Sequence, residues 1–317
     1  MTSKTTVSAK AAKSSVSKTD LLTELKSLSL LLLAVLGFHS FVAKPFYIPS
    51  ESMLPGLLKG DQLVVTKFPY GWSYVSPTIP NPLAMVQSLV GNPQDSWFVQ
   101  LPFISGRLVG NLPERGDVVV LSPPGRNVDY IKRLVGLPGD KIEVRRGHLI
   151  INDVPVKREP RPPVMIPVDQ NTLCLQASSQ LGSDAEESTY PDGTLVTISG
   201  KAYCRLPIMR ETLPNGRYYD TIALDDSPSA DDFAAVTVPA GHVFVMGDNR
   251  DRSADSRYPL EQKGLGGPVP WEQLGGRAEF ITYSLDGSQR WYNPLTWFGA
   301  LRGGRAGSSL HPARVPK

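Results

Sequence analysis

One apolar stretch near the N-terminus constrains this chain more than any other feature. From Leu28 to Ala43 the only polar residues are Ser29, His39 and Ser40, and Leu21, Leu22 and Leu25 extend the run upstream. A bilayer core calls for about 20 apolar residues of helix, so the segment fits a span once the upstream leucines join it. The charged leader before it is long, no A-x-A cleavage pattern follows, and Lys44-Pro45-Phe46-Tyr47-Ile48 comes next, which favours an uncleaved anchor over a removed signal. A buried core helix is the competing reading, since Glu24 and Lys26 interrupt the upstream half. Lys4, Lys10, Lys13 and Lys18 precede the span and Lys26 lies at its start, which predicts a cytoplasmic N-terminus with everything after residue 44 outside. No second long apolar run appears, so one span is expected.

Beyond Ile48 the pattern changes to short β-branched runs between turn signals. Residues 62–66, 117–121, 131–135, 141–144, 149–151, 235–238 and 242–246 read as strands. Turns joining hydrophobic runs at Arg145-Arg146-Gly147-His148 and Ile151-Asn152-Asp153-Val154 predict hairpins. With 28 Gly and 29 Pro, the composition agrees with many strands and turns. The expected fold is therefore mainly β: an antiparallel domain preceded by one transmembrane helix. A formal net charge of +3, with scattered basic residues, gives nucleic acid no footprint.

The organisation expected along the chain is a disordered basic tail over 1–19, an anchor over 20–44, and a β-rich body over 45–157 and 233–300. A smaller β-rich subdomain is inserted at 158–232, with an acidic middle from Ser178 to Ser188, and a flexible Gly- and Arg-rich tail covers 301–317. Residues 71–113 break the strand rhythm with Pro77, Pro80, Pro82, Pro93 and Pro102. Trp72, Tyr74, Trp97 and Phe98 in this stretch suit either a membrane interface or packing within the domain, and Phe103 lies among the same aromatics. Cys174 and Cys204 lie without a CxxC or a nearby His pair, which leaves a single disulfide or two small core residues.

The first candidate for chemistry is Pro49-Ser50-Glu51-Ser52-Met53-Leu54-Pro55, where a proline-bracketed bend between anchor and first strand would hold the Ser52 hydroxyl exposed and fixed. A serine nucleophile needs a base. Of the four histidines, His39 lies in the span, His311 in the tail, and His148 and His242 in strand or hairpin context with no evident carboxylate orienter. Lysine is the alternative. In Asp129-Tyr130-Ile131-Lys132-Arg133-Leu134-Val135-Gly136, strand alternation sets Lys132 and Leu134 on the face opposite Ile131 and Arg133. Desolvation on an apolar face lowers a lysine pKa towards that of a general base. On pattern alone, a surface lysine on an edge strand is the favoured reading.

Four ordered blocks lift that ambiguity: Pro49 to Pro55, Arg115 to Asp117, Asp129 to Asp140, and Gly247-Asp248-Asn249-Arg250-Asp251-Arg252-Ser253-Ala254-Asp255-Ser256-Arg257. Together they resemble the bacterial type I signal peptidases, membrane-anchored proteases with a Ser-Lys dyad that use no metal or cofactor. The resemblance implies Ser52 as nucleophile, Lys132 as general base, and the Ser52 N–H with the Ser50 hydroxyl as oxyanion hole. It gives Ser253 the role of orienting Lys132, and Asp255 and Arg257 that of a supporting ion pair. Phe46, Ile48, Pro49, Met53, Leu57, Asp129, Tyr130 and Ile131 would bind an extended peptide, with shallow pockets suited to alanine one and three positions before the cut. Implied partners are signal-peptide-bearing preproteins, the lipid bilayer and the nearby export machinery at the bacterial cytoplasmic membrane. Rivals are a narrow-specificity processing protease, a silent scaffold and a self-cleaving repressor; the last is disfavoured because no helix-turn-helix precedes the serine.

Overall fold

The computed structural model describes residues 18–76, 79–80, 98–99, 106–123, 128–176, 189–191, 193–224, 231–290 and 292–315. The expectations for the basic tail before residue 18, for Pro77, Pro82, Pro93, Trp97, Pro102 and Phe103, and for the acidic stretch Ser178 to Ser188 lie outside the described residues. In chain order the elements begin α1 (Lys18–Phe41), β1 (Ala43–Tyr47), β2 (Asp61–Thr66), β3 (Ile79–Pro80), β4 (Phe98–Val99), β5 (Val118–Leu121) and β6 (Tyr130–Gly136). Next come β7 (Lys141–Arg145), β8 (His148–Ile151), β9 (Val154–Pro155), β10 (Lys157–Pro167), β11 (Leu175–Gln176), β12 (Thr189–Tyr190), β13 (Leu195–Ile198) and β14 (Lys201–Thr212). The chain closes with β15 (Arg217–Thr221), β16 (Phe233–Thr237), β17 (His242–Met246), β18 (Val269–Pro270), β19 (Leu274–Ser284), α2 (Leu295–Gly299) and β20 (Ala313–Arg314).

The apolar run forms α1, which at 1.5 Å per residue is about 36 Å long and so matches a bilayer core of about 30 Å. Its leucines are exposed, as those of a helix awaiting lipid must be, and this sets aside the core-helix reading. The body is antiparallel apart from the short parallel pair β11–β12, and its largest sheet runs β1-β2-β19-β5-β6-β17-β18. A second sheet, β16-β7-β8-β9, contains both expected hairpins: Arg145 pairs with His148, and Ile151 with Val154. Asn152 and Asp153 both take positive φ, which suits the turn-forming preference of these residue types. Period-2 alternation decides which side of the main sheet each residue serves. Ile131 packs with Val118 and Val120 in one cluster, whereas Leu134 packs with Val119 and Leu121 in another.

Strands β10, β13, β14 and β15 build a third sheet, and Cys174 is disulfide-bonded to Cys204 with Cα atoms 5.5 Å apart. That pair packs with Leu54 and Leu58 from the loop after Ser52, so this sheet reaches the back of the serine bend. Sequence left both cysteine readings open because the pairing depends on β14 carrying Cys204 to residue 174.

The C-terminal segment differs from the flexible tail expected. It folds back over the domain: Gly307 N–H donates to Ile281 O, Leu310 N–H to Glu279 O, and β20 adds to β15. Arg305 binds both the buried Asp61 carboxylate and, at 3.0 Å, the carbonyl of Gly56. Arg302 binds Asp169 at 2.8 Å and the Lys59 carbonyl at 2.8 Å. Composition pointed to disorder because glycine and arginine are common in mobile tails; here the arginines have buried acceptors waiting far away in sequence. Arg305→Met should therefore destabilise the protein by about 2–4 kcal/mol, since Asp61 stays buried without its partner. A lower urea midpoint with unchanged slope would bear this out; an unchanged midpoint would show that the strap contributes nothing.

Candidate active site

The bend from Ile48 to Asp61 is closed at its base by two backbone hydrogen bonds, Ile48 N–H to Asp61 O and Gly60 N–H to Ile48 O, both 2.9 Å. Ser52 sits on this bend, 5% exposed, and the adjacent Met53, Leu54 and Leu57 are buried in the core. The bend is thus anchored by its apolar residues while its serines face a cleft of about 590 Å³. That cleft is bounded by Pro49 to Ser52 on one side, Val128 to Lys132 on a second, and Asp251 to Ala254 with Tyr258 on a third.

Lys132 reaches across from β6, and its Nζ lies 2.9 Å from Ser52 Oγ. The lysine is 4% exposed. Burial is the main reason its pKa falls from 10.5 to about 8; Asp255 opposes the fall and Arg257 adds to it. At neutral pH an appreciable fraction is then neutral, with a lone pair available for a proton. Ser50 Oγ stands 3.4 Å from Ser52 Oγ, on the open side of the bend.

The loop from Gly247 to Arg257 clamps the serine from behind. Asn249 N–H donates to Ser52 O at 3.1 Å, and Asn249 Nδ2 to Glu51 O at 3.2 Å. Asp255, fully buried, accepts from Arg257 Nε and Nη2 and from the Gly247 N–H, each at 2.9 Å. Burial would raise its pKa, but Arg257 and these backbone donors outweigh that and hold it below the usual value. The expected Asp255–Arg257 pair is thus present. Ser253 differs: its Oγ is buried and makes no hydrogen bond among the described residues, so the expected bond to Lys132 is not formed, although Ser253 lines the same cleft. The hydroxyl is 2.2 Å from where a Cβ on Gly247 would stand, which packs it against the loop backbone.

Of the expected peptide-binding residues, Pro49, Asp129, Tyr130 and Ile131 line the cleft. Ile48, Met53 and Leu57 are buried in the core beneath it, and Phe46 packs half-buried against the same cluster; none of the four lines the cleft. Packing explains this: the apolar residues that fix the bend are drawn into the core cluster, while Pro49, Ser50 and Glu51 are left at the cleft. The lip residue Asp129 accepts from Ser122 Oγ at 2.6 Å and lies 3.8 Å from Lys44 Nζ on β1, so β1 and the start of β6 face each other across the groove.

Sequence reasoning missed several residues that shape the site. Arg133 binds Asp248 through Nε at 2.6 Å and the Gly116 carbonyl at 2.7 Å, tying the strand of Lys132 to the clamp loop. Arg250 grips Glu211 through both Nη atoms, at 2.7 and 2.6 Å, with both side chains buried. Tyr190 donates to the Glu51 carboxylate, which burial raises above the usual range despite that bond. The acidic and basic residues of the four blocks were the available signal, but their partners lie in segments with no motif.

The fold is a β-rich domain carrying an apolar N-terminal helix, and its cleft brings a serine hydroxyl against a buried lysine, an arrangement found in serine hydrolases. Residues 21–283 match the family described as signal peptidase, peptidase S26. Signal peptidase I of Rickettsia typhi (strain ATCC VR-144 / Wilmington) is 31% identical over 268 residues, 82% of this chain and 80% of the relative. That of Rickettsia canadensis (strain McKiel) is 32% identical over 270 residues, 82% and 79% of the two chains. A solved signal peptidase I from Enterococcus faecalis is 25% identical and covers 53% of this chain and 97% of its own, with a TM-score of 0.24. The chain belongs to the signal peptidase family, peptidase S26, and is a serine endopeptidase.

Proposed function

We propose that this protein removes N-terminal signal peptides from exported preproteins after A-x-A-like sites, with Ser52 and Lys132 as a catalytic dyad. The observation that carries the reading is the 2.9 Å approach of Lys132 Nζ to Ser52 Oγ inside a buried corner of the cleft. Neutral Lys132 takes the Ser52 proton as Oγ attacks the scissile carbonyl. The negative charge that develops on the carbonyl oxygen meets the Ser52 N–H and the Ser50 hydroxyl. On collapse, the Lys132 ammonium gives its proton to the departing amine, leaving the signal peptide esterified to Ser52. Lys132, neutral again, then deprotonates a water that hydrolyses the ester.

The peptide lies extended between the Pro49–Ser50 edge and Asp129 to Ile131, adding main-chain hydrogen bonds as a strand would. Small side chains before the cut suit a groove whose floor is already filled by Ile48, Met53 and Leu57. The helix α1 holds the enzyme in the bacterial cytoplasmic membrane with its N-terminus in the cytoplasm, so that enzyme and signal peptide meet in the plane of one bilayer, near the export machinery.

Purified, detergent-solubilised protein should cut an A-x-A-containing preprotein once, at the expected junction, while Ser52→Ala and Lys132→Ala, each shown to be folded, should cut nothing detectable. A wild type that leaves the preprotein intact, or a Lys132→Ala protein that cuts normally, would refute the assignment.

A further inference from the structure

One wall of the cleft has no part in the proposed chemistry. Tyr258, Gln262 and Lys263, from the segment after the clamp loop, stand along it. The segment is a tight turn. Lys263 N–H donates to Leu260 O at 3.1 Å, Gly264 N–H to Pro259 O at 3.0 Å and Gly266 N–H to Tyr258 O at 2.8 Å. Lys263 holds φ 59, a left-handed conformation that closes the turn, and a Cβ on Gly264 would stand 2.2 Å from Tyr258 O. Two further bonds fix where the turn sits. Leu265 N–H donates to Asp255 O of the clamp loop at 3.0 Å, and Tyr130 Oη on β6 donates to Lys263 O at 2.9 Å. Gln262 and Lys263 are thus held, exposed, beside the strand that carries Lys132.

Strand geometry says which part of a substrate meets them. β17 pairs with β6 only from Arg133 onward, so among the described residues no strand occupies that edge beside Tyr130, Ile131 and Lys132. A peptide laid there continues the line of β17 and alternates its side chains between the two faces of the sheet. Ile131 faces the cluster of Ile48, Met53 and Leu57, the floor offered to the small residues one and three before the cut. Tyr130 packs on the opposite face, with Leu134. The residue two before the cut therefore turns to the Tyr130 face, where Lys263 is tied. The charges of the cleft favour one kind of side chain there. Of the carboxylates lining it, Asp129 is engaged by Lys44 and Ser122, Glu51 by Tyr190, and Asp251 accepts from Leu224 N–H at 2.5 Å. Lys263 makes no ion pair among the described residues, and the neighbouring Glu261 does not line the cleft.

We propose that Lys263, with Gln262 beside it, forms a subsite for an acidic side chain at the second position before the cut. The inference rests on the signal-peptidase reading above and adds a charge preference to it. Lys263 acts as a specificity determinant and takes no part in bond making. The ion pair forms at an exposed side chain, so its effect is modest and is screened by salt.

The test uses three preproteins that differ only at that position, with Ala-Glu-Ala, Ala-Gln-Ala and Ala-Lys-Ala junctions, cut by the detergent-solubilised full chain. The expected order of kcat/KM is Glu above Gln above Lys, about five-fold from first to last at low salt and shrinking towards equality in about 0.5 M sodium chloride. Lys263→Glu should invert the order, whereas Lys59→Gln, which removes a cleft lysine from the serine bend, should keep it. Equal rates on all three junctions in the wild type overturn the subsite and leave the peptidase reading standing; no cutting at any junction overturns both. An order that survives Lys263→Glu, or that Lys59→Gln abolishes, also overturns the subsite, by placing the preference elsewhere in the cleft.

Discussion

Lys132→Met should lower kcat/KM by about 10³-fold or more while leaving the protein at least as stable as the parent. The two halves of that expectation have one cause. Lys132 is buried with its Nζ on Ser52 Oγ, and burial pulls its pKa from 10.5 to about 8. In the proposed mechanism the amine is the base, a contribution of about 10²–10⁴-fold in rate, and methionine fills much the same volume without an ammonium to desolvate. The depressed pKa corresponds to about 3 kcal/mol of disfavoured charge. Because the folded state binds this proton less tightly than the unfolded chain does, the penalty is fully present below pH about 8. It is relieved as pH rises towards 10.5, so wild-type stability gains over that window and Lys132→Met should not. Correspondingly, kcat/KM of the wild type should climb with pH through about 8. Urea titrations at pH 7 and 9.5 beside single-turnover rates would decide the matter. Activity within ten-fold of wild type in the variant would remove Lys132 from the mechanism.

Gly247→Ala should cost about 10²-fold in kcat/KM and about 1–3 kcal/mol in stability, a large effect for one methyl group. A Cβ at this position would lie 2.2 Å from Ser253 Oγ, 2.4 Å from Ser253 Cβ and 2.5 Å from the Ser52 carbonyl oxygen. The last is backbone and cannot rotate away, so the clamp loop or the serine bend must shift, and overpacking of this kind typically costs 1–3 kcal/mol. A displacement of about 1 Å between nucleophile and base is enough for a 10²-fold loss. Calorimetry and kcat/KM on one preprotein would read both numbers. Full activity in Gly247→Ala would mean that the loop is softer than the hydrogen bonds from Asn249 to the serine bend and from the Gly247 N–H to Asp255 imply.

Much of the site is legible in the amino-acid order. Ser52 and Lys132 stand in blocks whose resemblance to a known family is specific, and the strand around Lys132 alternates as its sequence does. The Asp255–Arg257 pair is legible because its members are two residues apart. The expected Ser253 bond to Lys132 is absent, and Ile48, Met53 and Leu57 turn inward beneath the cleft. Both differences arise where a side chain's direction depends on how closely a neighbouring segment packs. The disulfide, the grip of Arg250 on Glu211 and the link from Tyr190 to Glu51 all join segments far apart in the chain, and none leaves a local trace.

The C-terminal strap shows the boundary most clearly. Its glycines and arginines have the composition of a loose tail, yet Arg302 and Arg305 close onto Asp169, Asp61 and the carbonyls of the serine bend. The order of residues was enough to specify the apolar helix, the β-rich body, both hairpins and the two residues brought together at the cleft, because periodicity, turn chemistry and compact motifs are local properties. Packing in three dimensions settled the pairing of cysteines, the ordering of the tail and the inward turn of the bend's apolar residues. Those depend on which buried donor meets which buried acceptor, and a charge finds its partner through space, not along the chain.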